Sequence, residues 1–263
     1  MPAHRIKLLW GNTVSVVESI TLPTLLTIVA TLFFFVLERL YPGRPLPHSK
    51  GWYFRALTIN LVQLGVTLSL ARLWTDVFGT QRLFNVSAWE LPVLEGAFGW
   101  FVGTFVFYWW HRLRHSSGFW RVFHQIHHSP ARIEVLTSFY KHPVEIAFNS
   151  ALTAVILVPF LGCSLLATFW YNLFAATGEY VYHANYKSPT WLRYFIQTPE
   201  LHSIHHQLDV HRYNFSDIPV WDRLFGTYRD TTSFVSRCGF PNQNERRLAE
   251  MLVFQEVYAR ESP

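Results

Sequence analysis

The sequence predicts an all-α protein, a multi-pass transmembrane helical bundle of about four to five spans, including a helical hairpin, beneath a histidine-rich cap. Three observations carry this expectation. Apolar residues make up 50% of the 263 and charged residues only 15%, against roughly 25% charged in ordinary soluble domains. Long uncharged runs recur from Ile20 to Gly178. The thirteen histidines gather mainly in the polar stretches that follow those runs.

Crossing a hydrocarbon core takes about 20 mainly apolar helical residues. Residues 20–37 (ITLPTLLTIVATLFFFVL) are uncharged and nearly sufficient alone. Residues 56–71, between Arg55 and Arg72, form a more polar second span, in which Asn60, Gln63 and three hydroxyl side chains call for burial against other helices. A third span covers residues 96–110, extends back through Leu91–Glu95, and ends in a Trp109/Trp110 pair suited to the membrane interface. Residues 146–178 carry no charge, and as one straight helix they would extend roughly 50 Å, beyond a core of about 30 Å. Pro159 and Gly162 near the middle make a hairpin of two short spans the economical reading, with His142 and His183 at its feet on one membrane face. From Tyr186 onward, polar and aromatic residues punctuated by Pro189, Pro199 and Pro219 read as a cap of short helices and loops. Residues 1–263 are expected to form a single integral-membrane domain.

Charge sets the expected sidedness, because short cytoplasmic loops collect Lys and Arg. On the histidine side lie Arg39, Arg44, Lys50, Arg55, Arg112, Arg114, Arg121, Arg132, Lys141 and nine more from Lys187 to Arg260. The other side has only Arg5, Lys7, Arg72 and Arg82, so the histidine-rich catalytic cap is expected to face the cytoplasm. The net charge of +5 is not gathered into a run dense enough to track phosphates, so no nucleic-acid partner is expected. Cys163 and Cys238 give no disulfide framework. Arg5 and Lys7 are followed by no apolar stretch with a small-residue cleavage site, so a cleaved secretory signal is not expected.

Three tight groups remain: His111-Arg-Leu-Arg-His115, His124-Gln-Ile-His127-His128 and His202-Ser-Ile-His205-His206. Spacings of three and four put imidazoles on one helix face, whereas adjacent pairs such as His127 and His128 differ by about 100° and can serve different metals. Two metal ions fit this donor set better than one, and His183 adds a further donor. Spacing alone leaves the metal open among Zn, Cu, Fe and Ni. His142 and His211 read as packing or outer contacts, and His4 and His48 as solvated.

These groups resemble the HxxxH, HxxHH and HxxHH boxes of the fatty acid hydroxylase/sterol desaturase superfamily. The resemblance covers residues 95–229 and includes Tyr213-Asn214 and the closing Trp221-Asp222-Arg-Leu-Phe225-Gly226-Thr227-Tyr228. It implies a membrane-bound di-iron oxygenase that hydroxylates a lipid C–H bond with O2. It further implies an external electron-transfer protein and reductase, and a metal site in which zinc can replace iron on purification. The implied ligands are His111, His115, His124, His127, His128, His183, His202, His205 and His206. Where some relatives carry a tenth histidine this chain has Lys187, and Asn185, water or no ligand at all are the alternatives there. Glu145, Glu179, Asp209, Asp217 and Asp222 are candidate outer partners of the ligands, although a helix-end or surface charge would explain each equally well.

Phe101, Phe105, Phe107, Phe169 and Phe174 are expected either to guide a lipid chain or to pack between helices and lipid. No flavin, haem or nicotinamide fingerprint is visible. Desaturation by the same centre is the closest rival. A zinc hydrolase would call for HExxH, which is absent, and metal transport would call for ionisable groups within the spans. The tail Ala-Arg-Glu-Ser-Pro favours a bacterial inner membrane, with the endoplasmic reticulum as the eukaryotic equivalent. The lipid itself, the carbon attacked and the oligomeric state are not written in these residues.

Overall fold

The computed structural model describes residues 13–79 and 81–258; His4, Arg5, Lys7 and Arg260 lie outside the described residues. The described residues are helical, with no strand among them beyond two isolated bridges, Pro42 with Tyr186 and Gln207 with Cys238. Helices α1 (Thr13–Leu40), α2 (Trp52–Phe78) and α3 (Pro92–Arg114) come first. Next, α4 runs through Ser117–Phe119, a π turn at Trp120–His124 and Gln125–His128. Helix α5 (Pro143–Val155) continues through a π turn at Ile156–Phe160, and α6 (Leu165–His183) follows after the turn. The cap holds α7 (Pro199–His205) and α8 (Pro219–Leu224).

By length and composition, three of these helical segments can cross a membrane: Leu22–Leu40, Trp52–Phe78 and Pro143–Phe160. Helix α3 carries Glu95, Arg112 and Arg114, and α6 carries Glu179 and His183, which lowers their apolar character. Val29, Leu32 and Phe33 on α1, with Leu61, Leu64 and Leu68 on α2, are exposed as lipid-facing side chains should be. Helix α6 packs against both α1 and α3, while α5 packs against α2.

The expected break at Pro159 and Gly162 is present between α5 and α6, of which Pro143–Phe160 is long and apolar enough to cross a membrane, and the turn has a physical cause. Pro159 has no N–H to donate, and the backbone widens so that Leu161 N–H reaches Ile156 O at 2.9 Å. Gly162 then turns the chain at φ +64°, where a Cβ would lie 2.3 Å from the Phe84 carbonyl. The loop before α3 staples this tip through Leu83 N–H to Pro159 O at 2.7 Å and Phe84 N–H to Phe160 O at 3.0 Å. At the other end the feet meet, with Lys141 Nζ 2.6 Å from Glu179 Oε1.

Polar residues of the spans find partners between helices. Asn60 Nδ2 donates to Ala56 O at 2.8 Å and Leu136 O at 3.1 Å, as its place in a span requires. Trp110, expected as an interface anchor, instead donates from Nε1 to Asn149 Oδ1 of α5 at 2.7 Å, while Trp109 is exposed. Of the phenylalanines, Phe101 and Phe105 contact Trp221 of α8, and Phe107 packs against the core formed by Ile156, Leu157 and Tyr171. Two acids absent from the sequence reading tie the membrane part to the cap. Glu38 accepts Val135 N–H and Asn185 N–H, each at 2.9 Å, and Glu134 accepts Trp52 Nε1 at 2.6 Å and Arg132 Nε at 2.8 Å.

Gly96, Gly99 and Gly103 lie on one face of α3 and let it close on α6 and the hairpin turn. A Cβ at Gly96 would stand 2.6 Å from Trp170 Cβ and 2.8 Å from the Ala167 carbonyl. Gly96→Val should therefore destabilise the fold by about 1–3 kcal/mol through overpacking. A fall of several degrees in the melting temperature of the detergent-solubilised protein checks this. Gly65→Val on the open face of α2, with nothing within 4 Å, should leave it unchanged.

Candidate metal centre

The nine sequence-predicted histidines meet where α3, α4, α6 and α7 end. They form two groups, His111, His115, His124, His128 and His205 in one and His127, His183, His202 and His206 in the other. One ring nitrogen from each member lies within 4.8 Å of those of its group. Helix geometry accounts for the sorting: at 100° per residue, positions four apart differ by about 40° and positions three apart by about 60° in the opposite sense. His124 and His128 thus enter one group and His127 the other. On α7 the same rule pairs His202 with His206 and sends His205 across. The π turn at Trp120–His124 sits directly before this division, a feature frequent at functional sites.

The inward nitrogens crowd together, and where the outward nitrogen carries the proton they face one another as lone-pair acceptors. His124 Nε2 is 3.1 Å from His115 Nε2, His127 Nε2 is 3.3 Å from His183 Nε2, and His202 Nε2 is 3.1 Å from both His183 Nε2 and His206 Nε2. Ligands about 2.1 Å from a shared ion stand about 3.0 Å apart at a right angle and about 3.4 Å apart at a tetrahedral angle. The observed spacings fall in that range. His111 Nε2, His205 Nε2, His127 Nδ1, His206 Nδ1 and both nitrogens of His128 are buried without a hydrogen-bond partner. Buried polar atoms left this way are costly; ions between the groups would give a partner to His111 Nε2, His205 Nε2 and one nitrogen of His128, together with the inward Nε2 atoms of His127 and His206.

Four outward nitrogens are held by the protein, whereas those of His127 and His206 have no hydrogen-bond partner. His111 Nδ1 donates to Phe215 O at 2.7 Å, His205 Nδ1 to Tyr213 O at 2.8 Å, and His183 Nδ1 to Glu179 O at 2.9 Å. His124 Nδ1 faces the Glu145 carboxylate at 3.2 and 3.3 Å, and that carboxylate also pairs with Arg114. Such contacts fix the tautomer and aim the second nitrogen inward. Burial pushes the imidazolium forms of His124, His127, His128, His202 and His206 well below the usual histidine range, and that of His205 down to about 3. The rings are neutral at neutral pH, the form that binds metal.

The acids singled out from sequence divide by contact. Glu145 and Glu179 touch histidines directly, the latter at 3.4 Å from His183 Nδ1. Asp222 acts through a loop: it accepts Phe215 N–H at 2.8 Å, Ser216 N–H at 2.9 Å and Thr227 Oγ1 at 2.6 Å, fixing the segment whose carbonyl holds His111. Asn214, in the left-handed region at φ +55°, donates to Leu201 O at 2.9 Å and Arg229 O at 3.0 Å, and so clamps the cap beside α7. Asp217 accepts the Tyr182 hydroxyl at 3.1 Å, and Asp209 accepts that of Tyr258. Neither pairs directly with a member of the groups.

The other histidines stand apart. His142 caps α5, accepting Val144 N–H at 3.0 Å on Nδ1 and donating from Nε2 to Leu252 O at 3.3 Å. His211 packs on Trp120 and His128 but joins neither group, and His48 is exposed. Asn185, considered for a tenth position, spends its amide on Arg44, with Nδ2 donating to the Arg44 carbonyl at 2.8 Å, and Lys187 is exposed.

Comparison with known proteins bears on this arrangement. Residues 96–227 match the family described as Fatty acid hydroxylase. Methylsterol monooxygenase 2-2 of Arabidopsis thaliana is 33% identical over 190 residues, covering 69% of this chain and 70% of its own length. Methylsterol monooxygenase 2-1 of the same plant is 29% identical, over 57% of this chain and 61% of its own. A very-long-chain aldehyde decarbonylase of Oryza sativa subsp. indica, GL1-8, is 32% identical, over 58% of each. No solved structure matches the chain. The matched region contains all nine clustered histidines together with Asn214 and Asp222, and by that match the chain belongs to the fatty acid hydroxylase family.

Proposed function

We propose that this chain is a membrane-bound di-iron oxygenase that hydroxylates a C–H bond of a lipid, using O2 and electrons from an external carrier and its reductase. The observation that carries the reading is the convergence of nine imidazoles, eight of them buried and that of His115 half-buried, into two sets at metal-ligand spacing. Family membership supports an oxygen-dependent lipid oxygenase, and the apolar helices support a membrane substrate. His111, His115, His124, His128 and His205 would hold one iron and His127, His183, His202 and His206 the other. When bound, the metals supply oxygen activation and the oxidising power to attack an alkyl group.

The chain's own part is placement and shielding. Glu145 and Glu179, themselves paired with Arg114 and Lys141, reach the outer nitrogens of His124 and His183 and hold those rings in place. Phe215 covers His111, His115 and His205 at ring distances of 5.2–5.5 Å and limits water there. The single domain is proposed to span residues 1–263, with the cap facing the cytoplasm in a bacterial inner membrane or the equivalent face of the endoplasmic reticulum. Desaturation is the rival outcome, and the relatives' names add loss of an aldehyde group as another. Comparing lipids from cells with and without the active protein under 18O2 separates them. One labelled hydroxyl on a single lipid class is expected, whereas a labelled-oxygen-free alkene or a shortened alkane would replace hydroxylation by the corresponding rival.

The metal assignment predicts about two ions per chain after iron reconstitution. His127→Ala should empty the four-histidine set first and His205→Ala the five-histidine set, each abolishing lipid oxidation. His48→Ala should leave oxidation nearly intact. Elemental analysis and lipid turnover at equal membrane abundance check this, because an emptied site also lowers stability. Full activity with normal metal content in both box variants would exclude these ligands.

Loosening the loop behind His111 should act without touching a ligand. Asp222→Asn is expected to weaken metal retention about 10- to 100-fold, the usual effect of losing an outer partner. Competition against a chelator measures it.

Sidedness is checked with a membrane-impermeant thiol reagent at Ser116→Cys and Arg212→Cys, both exposed positions close to the histidine groups. Equal labelling from the cytoplasmic side is expected. Labelling from opposite sides would break the proposed site apart.

A further inference from the structure

Two oxidisable rings lie directly on the histidine groups. Trp120 has its ring centroid 5.2 Å from His128, 5.5 Å from His115 and 6.1 Å from His124. Tyr182 stands 4.8 Å from His183 and 4.5 Å from His202. What lies behind them differs. Among the described residues Tyr182 contacts no further aromatic ring beyond those histidines, and its hydroxyl ends on Asp217 at 3.1 Å. Trp120 begins a line that leads outward. The Tyr258 ring lies 6.1 Å away, with Phe240 against both at 6.0 and 4.9 Å. Tyr258 is half-buried, and its hydroxyl donates to the carboxylate of exposed Asp209.

We propose that Trp120 and Tyr258 form a relay that carries an unspent oxidising equivalent from the five-histidine site to the protein surface, sparing the ligands when no lipid is in reach. The inference rests on the oxygenase reading above. Indole and phenol each yield one electron far more readily than a phenyl ring. Trp120 loses one electron to the oxidised centre, which is thereby reduced by one. Tyr258 returns an electron to the Trp120 indole as its phenolic proton passes to Asp209, leaving a neutral phenoxyl radical. A soluble thiol then restores Tyr258 by giving up a hydrogen atom and becoming a thiyl radical, and Asp209 releases its proton to water. Packing alone would ask only for large rings, as Phe240 supplies in the same cluster. The carboxylate set on the Tyr258 hydroxyl adds nothing to packing, but it is what lets a phenol be oxidised without building up positive charge.

The test uses full-length, iron-reconstituted protein in detergent, treated with hydrogen peroxide in the absence of lipid substrate and frozen for electron paramagnetic resonance. Wild-type protein should give a phenoxyl signal. Tyr258→Phe should remove it while keeping lipid turnover and metal content, and Asp209→Asn should lower its yield severalfold. Trp120→Phe should also abolish the phenoxyl, and peptide mass spectrometry should show severalfold more oxidised His115 and His128. An unchanged signal in Tyr258→Phe, or one lost only in Tyr182→Phe, overturns the relay. Wild-type protein that holds its metals and oxidises lipid yet forms no phenoxyl overturns the relay alone. Wild-type protein that neither holds metal nor oxidises lipid overturns the oxygenase reading and the relay with it.

Discussion

Nine imidazoles, all but the half-buried His115 out of solvent, with inward nitrogens facing one another, are the constraint around which the rest of this protein is arranged. A buried polar atom without a partner costs roughly 1–3 kcal/mol, and six ring nitrogens among these nine residues are in that position. Protonation is no remedy, because the same burial disfavours the imidazolium form. Cations between the inward nitrogens would give those atoms a partner, and metal binding would then be coupled to folding of the cap. Everything nearby serves to keep the rings aimed. Carbonyls of Phe215, Tyr213 and Glu179 take the outward protons, and Glu145 does so for His124.

The ring carbonyls would be useless on a mobile loop. Asp222 gathers two backbone N–H groups and the Thr227 hydroxyl, and Asn214 gathers the backbone of Leu201 and Arg229. The closing Trp221–Tyr228 stretch is thus a clamp on the loop carrying Tyr213 and Phe215. Its Trp221 also reaches the membrane part, donating to Thr104 Oγ1 of α3 at 2.9 Å. One short segment therefore connects the orientation of His111 and His205 to the position of the helix that ends in His111 and His115.

Helix ends supply the rest of the precision. The hairpin turn at Pro159 and Gly162 returns α6 to the face it left, and the Lys141–Glu179 ion pair fastens the two feet. Glycines on α3 draw α6 close, which sets His183 against His127 and His202. Glu38 and Glu134, at the mouths of α1 and the chain before α5, give the same kind of fastening on the other side.

Much of this was legible in the residues because local spacing carries it. The uncharged runs, the Pro159/Gly162 break and the i, i+3, i+4 histidine spacing follow from helix periodicity and bilayer thickness, which act over a few turns of chain. The split of His127 from His128 follows from the same angle. Which histidines share a group was not legible, because His205 joins His111 only through the meeting of α7 with α3, more than ninety positions apart in sequence. Nor could sequence tell that Trp110 would bond Asn149, that Asn185 would be taken by Arg44, or that Asp222 would act on His111 through Phe215. A side chain's type states what it can donate or accept, and so the sequence by itself determined the donor set and the helices that bear it. Tertiary structure decided the partners, because a hydrogen bond or shared ion needs atoms about 3 Å apart, and only the packed helices bring distant residues that close.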